Sequence, residues 1–254
     1  MNPASDPPSL LFVRKLEVLT RFTAAEREGL INLPIVVRTI EAGRDIVREG
    51  EFSKQSVLIL DEWLCRYKVL PSGARQVLSV HVPGDVPDLM SLHLRLMDHS
   101  IMAMTEVTVG FMSHQSLDIL CSEFPRIATA LWKETLIDAS IFREWMVGLG
   151  RRSATQRVGH FMCEIYLRLQ VVGLAKDHKC AIPMTQSDMA DAFGLSLVHL
   201  SRTLKELKEA GLISLRQQTL AILDWDGLVK TCDFDPAYLH FSPQIKEGLQ
   251  QSFR

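Results

Sequence analysis

Hydrophobic and polar positions change rhythm twice along the chain. The opening "LLFVRKLEVLTRFTAAEREGLINL" spaces its apolar residues at helical steps, and Thr23 precedes "AAERE" with Glu26 three residues on, the pattern of a helix N-cap, so a helical lead-in is predicted. From Ile35 to Met112 the rhythm becomes that of strands. The runs "IVVRTIEAG", "SVLILDEWLCRYKVL", "RQVLSVHV" and "SIMAMTEVTVGFM" are rich in β-branched residues and separated by "AGRD", "PSG" and "PGD" turns. Short strands so closely spaced predict a β-roll or jelly roll. After Phe124-Pro125 helical spacing returns in "RIATALWKETLIDASIFREWMV", where Leu131, Thr135, Asp138, Phe142, Trp145 and Leu149 recur every three or four residues. That stripe predicts a long helix packed along another element, either a second copy of itself or its own roll. The glycines of "GLGRRS" then disfavour a helix interior and mark a hinge.

Beyond the hinge the helices are shorter. Ser153 caps "ATQRVGHFMCEIYLRLQVV", which lines up Val158, Phe161, Ile165 and Leu169. In "TQSDMADAFGLSLVHLSRTLKELKEAGLI", Thr185 with Asp188 starts a helix whose inner face is Met189, Ala192 and Phe193. Gly194 supplies a left-handed stop and Ser196 caps a second helix. Leu200, Leu204 and Leu207 face inward there, while Val198, His199, Arg202 and Lys205 face elsewhere. The following "LISLRQQTLAILD" has strand texture around a polar turn at Gln217-Gln218. Two helices and a hairpin in this order predict a winged helix-turn-helix. The chain therefore divides into an α+β assembly of a β-roll at residues 1–124, a helix with its hinge at 125–150, and a winged helix-turn-helix domain at 151–254.

Composition narrows the classes. With 254 residues, 47% of them apolar and 23% charged, the chain can bury two modest cores. Its net charge of −2 gives no global nucleic-acid signal, so DNA binding must rest on a local face. Five cysteines without a CxxC pair argue against a disulfide framework and a clustered metal site. Neither a basic n-region nor an apolar run of about 18 residues is found, which predicts a cytoplasmic protein with no membrane association. Catalysis finds no support: the strands hold no HxH or HxxxH pair, and there is neither a P-loop nor a GxSxG elbow.

The helix-turn-helix stretch, "GRRSATQRVGHFMCEIYLRL" and "VLPSGARQVLSVHVPGD" together resemble the Crp/Fnr family of bacterial transcription regulators, in particular the Crp/Fnr-like group common in alphaproteobacteria. The resemblance implies a cyclic-nucleotide-binding-like β-roll, a dimerisation helix and a winged helix-turn-helix. Expected partners are double-stranded DNA, a second copy of the chain, RNA polymerase and a small-molecule effector. In the family's pattern Gln186 and Ser187 approach the DNA backbone, Ser196 caps a phosphate site, and Arg202 stands where an arginine reads guanine. Leu197, Val198, His199, Ser201 and Lys205 complete the face. Leu197-Val198 departs from the Arg-Glu of well-known members, and an apolar pair can press on a thymine methyl but cannot accept from cytosine. The effector pocket would be Asp85, Asp88, His99 and Ser100. Aspartates replace the glutamates there, and His99-Ser100 replaces the phosphate-binding Arg-Ser/Thr, so cyclic AMP is not expected and no cofactor or metal is assigned. The alternatives are an effector-independent regulator and a haem- or redox-responsive sensor using roll histidines (His81, His93, His99, His114) or cysteines. Asp61-Glu62 replaces a glycine usual at a tight turn.

Overall fold

The lead-in forms two helices, α1 (Ser9–Glu17) and α2 (Ala24–Ile31), the second closed by the expected capping box between Thr23 and Glu26. The computed structural model describes residues 7–242, so most of the Pro/Ser-rich start lies outside the described residues. Strands follow as β1 (Val36–Ile40), β2 (Asp45–Val47), β3 (Gln55–Asp61), β4 (Leu64–Val69) and β5 (Arg75–His81). After a 3-10 turn (Leu89–Leu92) come β6 (Ser100–Ala103) and β7 (Val107–Ser113). Helices α3 (His114–Glu123), α4 (Pro125–Arg151) and α5 (Ala154–Val171) lead to β8 (Lys179–Ala181), α6 (Gln186–Phe193) and α7 (Leu197–Glu209). Last are β9 (Ile213–Arg216), β10 (Thr219–Ile222), α8 (Trp225–Cys232) and a 3-10 turn (Pro236–Leu239). The chain forms two compact units: residues up to 68 with 80–136, and residues 69–79 with those from 137 onward.

In the first unit, the sheet ordered β1-β7-β3 and the strands β2-β6-β4 make the roll. Its interior is apolar, with Val47, Ile59, Leu64, Met97, Ile101, Val107 and Val109 in one cluster. A second cluster joins Phe12 and Leu16 of α1, Leu30 of α2, Leu117 of α3 and Ile127 and Leu131 of α4. Leu131 is thus core, not part of an outward seam. Between β3 and β4 it is Glu62, not Asp61, that adopts the left-handed conformation (φ 61°). Its N–H donates to Asp61 Oδ1 at 3.0 Å and its carboxylate accepts from Thr105 at 3.1 Å, which offsets the strain.

Each residue expected to line an effector pocket is bonded within the protein. Asp85 accepts from Lys15 Nζ at 2.8 Å and from the Val82 N–H at 3.0 Å. Asp88 accepts from the Val57 N–H at 2.8 Å. His99 Nδ1 lies 2.7 Å from Asp98 Oδ1, and Ser100 Oγ accepts from the Glu49 N–H at 3.1 Å. These residues hold the roll's loops, a role that matching their positions to a ligand motif does not reveal.

Asp88 is fully buried, and burial pushes its pKa up to about 7. The folded state therefore keeps a proton that the unfolded chain sheds near pH 4, so this contribution is present below that pH and is lost as pH rises to about 7. The wild type is expected to lose about 2–3 kcal/mol of stability between pH 5 and 8 through this group. Asp88→Asn, which keeps an acceptor for Val57, should flatten that slope; equal slopes in chemical denaturation at the two pH values would refute it.

Helix α4 runs through Gly148 and Gly150, and only Arg152 and Ser153 separate it from α5. The helix break expected at these glycines therefore lies at Arg152-Ser153. The helix end is fastened there by Arg157, which donates to Gly148 O at 2.9 Å and to Phe193 O.

In the second unit α5 is the central element, buried from Val158 to Leu169 with α7 and α8 packed on it. Within it Glu164 is fully buried and accepts from Arg168 Nη1 at 3.1 Å, Tyr238 OH at 2.8 Å and Trp145 Nε1 at 3.1 and 3.3 Å. Burial raises the Glu164 pKa against the opposing pull of Arg168 and the hydroxyl and indole donors. Trp145 also meets Phe161 edge-on at 5.7 Å. The indole is thus turned to α5, where its N–H finds an acceptor, and not into a dimer seam as the stripe suggested.

Candidate nucleic-acid interface

Helix α6 starts on the predicted capping box: Thr185 accepts from the Asp188 N–H at 3.1 Å, and Asp188 accepts from the Thr185 N–H at 3.1 Å. It stops at Gly194, whose φ of 60° and ψ of 39° place it in the left-handed region that a Cβ disfavours. The chain then enters α7 at Ser196, whose hydroxyl accepts from the His199 N–H at 3.2 Å. Met189, Ala192 and Phe193 of α6 are buried, as are Leu200, Leu204 and Leu207 of α7. Apolar spacing thus fixes which side of each helix faces the core, and the remaining positions are presented outward. Arg75, which belongs to this second unit, donates to Asp188 at 2.7 Å and to Asp191 at 2.8 Å and steadies α6 further.

The outward face gathers the predicted residues. Gln186, Ser187, Ser196, Leu197, Val198, His199, Ser201, Arg202 and Lys205 are all exposed. Leu197 and Val198 are 53% and 72% exposed, large apolar side chains held in water at the first turn of a helix. Arg202 makes no hydrogen bond or ion pair among the described residues, whereas Lys205 lies 3.5 Å from Glu209. A guanidinium without a partner beside two exposed apolar side chains suits the edge of a base pair, where a fork of donors and a methyl contact are both wanted. The hairpin of β9 and β10 pairs Arg216 with Thr219 across Gln217-Gln218, both with positive φ (47° and 60°), so the wing turn stands where the polar pair predicted it.

The sensor alternatives meet less favourable geometry. His114 Nε2 lies 2.9 Å from Ser91 Oγ and His81 Nδ1 lies 3.7 Å from Asp85. No group of three or more metal-ligating residues occurs among the described residues. Burial raises the thiol pKa of Cys121 and Cys163 and pushes Cys180 up to about 12, so the reactive thiolate is disfavoured at these sites. Among the described residues no helix is long and apolar enough to cross a membrane.

Comparison with known proteins gives a consistent result. Residues 156–231 match the model of the Crp-like helix-turn-helix domain, and residues 37–124 match that of the cyclic nucleotide-binding domain. The chain is 28% identical to the nitrogen fixation regulation protein FixK of Bradyrhizobium diazoefficiens, over 84% of this chain and 88% of that protein. It is 23% identical to the transcriptional activator protein FnrL of Cereibacter sphaeroides, over 78% and 81% of the two. Among solved structures, FixK2 from Bradyrhizobium japonicum superposes with a TM-score of 0.71 at 25% identity, covering 78% of this chain and 97% of that one. The relatives are transcription regulators, not enzymes.

Proposed function

Because the chain belongs to the Crp/Fnr family of DNA-binding transcription regulators, we propose that it acts as a cytoplasmic homodimer whose two α7 helices read the halves of a palindromic operator. The observation that carries this is the outward face of α7, where unpartnered Arg202 stands with exposed Leu197, Val198 and His199 behind a capped turn. Arg202 takes guanine O6 and N7, and Leu197 and Val198 press on thymine methyls. Ser196, at the positive end of the α7 dipole, together with Gln186 and Ser187 holds phosphates and sets the register. Lys205 adds a long-range charge.

Dimerisation uses the apolar residues that α4 leaves exposed. Trp132 and Leu136 are 68% and 54% exposed, and Phe142, Met146, Val147 and Leu149 are exposed as well. So many large apolar side chains on one helix favour a covered face. This seam keeps Phe142 and Leu149 of the stripe read from sequence but replaces Leu131 and Trp145; Thr135 and Asp138 are half-buried, Thr135 donating to Leu131 O at 3.2 Å. A cyclic nucleotide has no part in the reading, since the four pocket residues are engaged in bonds within the protein. A small effector, if one acts, works by favouring one dimer state over another. RNA polymerase is the partner at the promoter.

Selection of bound sequences from a random duplex pool with purified protein tests the reading. The expected result is a palindrome with half-sites roughly 34–36 Å apart, carrying guanine at one symmetric position and thymine beside it. Recovery of sequence-blind, salt-sensitive binding alone would sink it.

A further inference from the structure

We propose that Tyr238, supported by Phe234, is a positioning residue for operator reading: the segment after α8 clasps buried Glu164 and thereby fixes the angle between α5 and the second half of α4. The inference rests on the dimeric operator reading above and extends it to a part of the chain beyond the matched helix-turn-helix model, which ends at residue 231.

The segment is built to fold back. Asp233 takes the left-handed conformation (φ 51°) at the end of α8, and Asp235 accepts from the Ala237 N–H at 2.9 Å to start the last 3-10 turn. Phe234 meets the His160 ring edge-on at 4.9 Å, and Tyr238 stacks on the same ring at 5.6 Å. Burial, aided by the charge of Arg152, pushes the His160 pKa down to about 3, so the ring packs between the two aromatics as a neutral plate.

From that seat the Tyr238 hydroxyl donates to Glu164 Oε2 at 2.8 Å. Glu164 therefore takes donors from three segments: Trp145 of α4, Arg168 of α5 and Tyr238 of the C-terminal clasp. Trp145 sits six residues before the end of α4, and the break to α5 is two residues long, so the bond from Trp145 to Glu164 is a lever on the angle between the helices. Without the Tyr238 hydroxyl, Oε2 keeps only its share of the indole proton, and the carboxylate is free to rotate toward Arg168. Because α7 packs on α5, that freedom passes to the recognition face. In a dimer it becomes uncertainty in the spacing of the two reading helices.

Tyr238→Phe in the full chain removes the O–H and keeps the ring. Operator affinity and its loss on adding or removing one base pair between half-sites are measured together with thermal unfolding. The variant should bind the native operator at least about fivefold more weakly and should discriminate less against altered spacers than the wild type. Unchanged affinity and unchanged spacer discrimination, whatever happens to Tm, would reduce Tyr238 to a structural residue and overturn the proposal. Should Tyr238→Phe fold poorly, Trp145→Phe cuts the same linkage from the other side and must show the same loss of discrimination, or the clasp fails. A wild-type chain with no spacer preference would sink the dimeric reading, and the clasp with it.

Discussion

Arg202→Ala is expected to weaken operator binding by about 1–3 kcal/mol and to relax base choice at one symmetric position of each half-site, leaving the rest of the preferred sequence intact. The side chain is exposed and forms no bond within the described residues, so its removal leaves nothing buried and should change Tm little. The effect should appear as lost discrimination: wild type should distinguish strongly between the selected operator and one with its guanine replaced, and the variant weakly. Lys205→Ala provides the contrast. Lys205 already has Glu209 at 3.5 Å and offers a point charge, so its loss should weaken all sequences alike and lower the salt slope by about one. If Arg202→Ala instead lowered affinity uniformly with sequence preference unchanged, the guanidinium would be a phosphate contact and base reading would fall to Leu197, Val198 and His199.

The outward face of α7 was legible because two local signals agree along it. Thr185, Gly194 and Ser196 punctuate the helices, and Leu200, Leu204 and Leu207 set the phase of α7, so every remaining position is outward by subtraction. The roll strands were legible for the same reason, with alternation and turns coinciding. Helix α4 was harder, because it is apolar on more than one side. Leu131 and Trp145 lie one position from Trp132 and Met146, and a one-residue step is a rotation of about 100°. Periodicity alone cannot say which stripe faces the core of its own unit: of the stripe read from sequence, Leu131 is buried and Trp145 half-buried, while Phe142 and Leu149 are exposed. The internal bonds of the effector positions were not legible, because a bond from Lys15 to Asp85 joins residues 70 apart and leaves no trace in local pattern. The Gly148–Gly150 stretch was misread: propensity disfavours the helix, but Arg157 caps its carbonyls from α5. The buried Glu164 cluster likewise combines residues 145, 164, 168 and 238, of which only the Glu164–Arg168 step is local.

That cluster carries the largest expected stability effect. Glu164→Ala should destabilise the protein by about 3–5 kcal/mol, since it removes the carboxylate that faces the buried Arg168 guanidinium and leaves an indole N–H and a phenol without their acceptor. Arg168 is only 6% exposed, so water cannot take over the lost partner without opening α5. Thermal unfolding at pH 7 should show Tm lower by roughly 6–20 °C, and a fall of only a degree or two would mean that the cluster is hydrated. Glu164→Leu with Arg168→Met separates strength from specificity, because replacing both charges by apolar groups of similar size is often neutral or stabilising. The double variant should regain most of the lost stability. It cannot regain the bonds that Trp145 and Tyr238 make to one shared carboxylate, so its operator-spacing discrimination should stay as poor as that of Tyr238→Phe. A double variant with wild-type stability and wild-type spacing discrimination would show that packing alone sets the angle of α5.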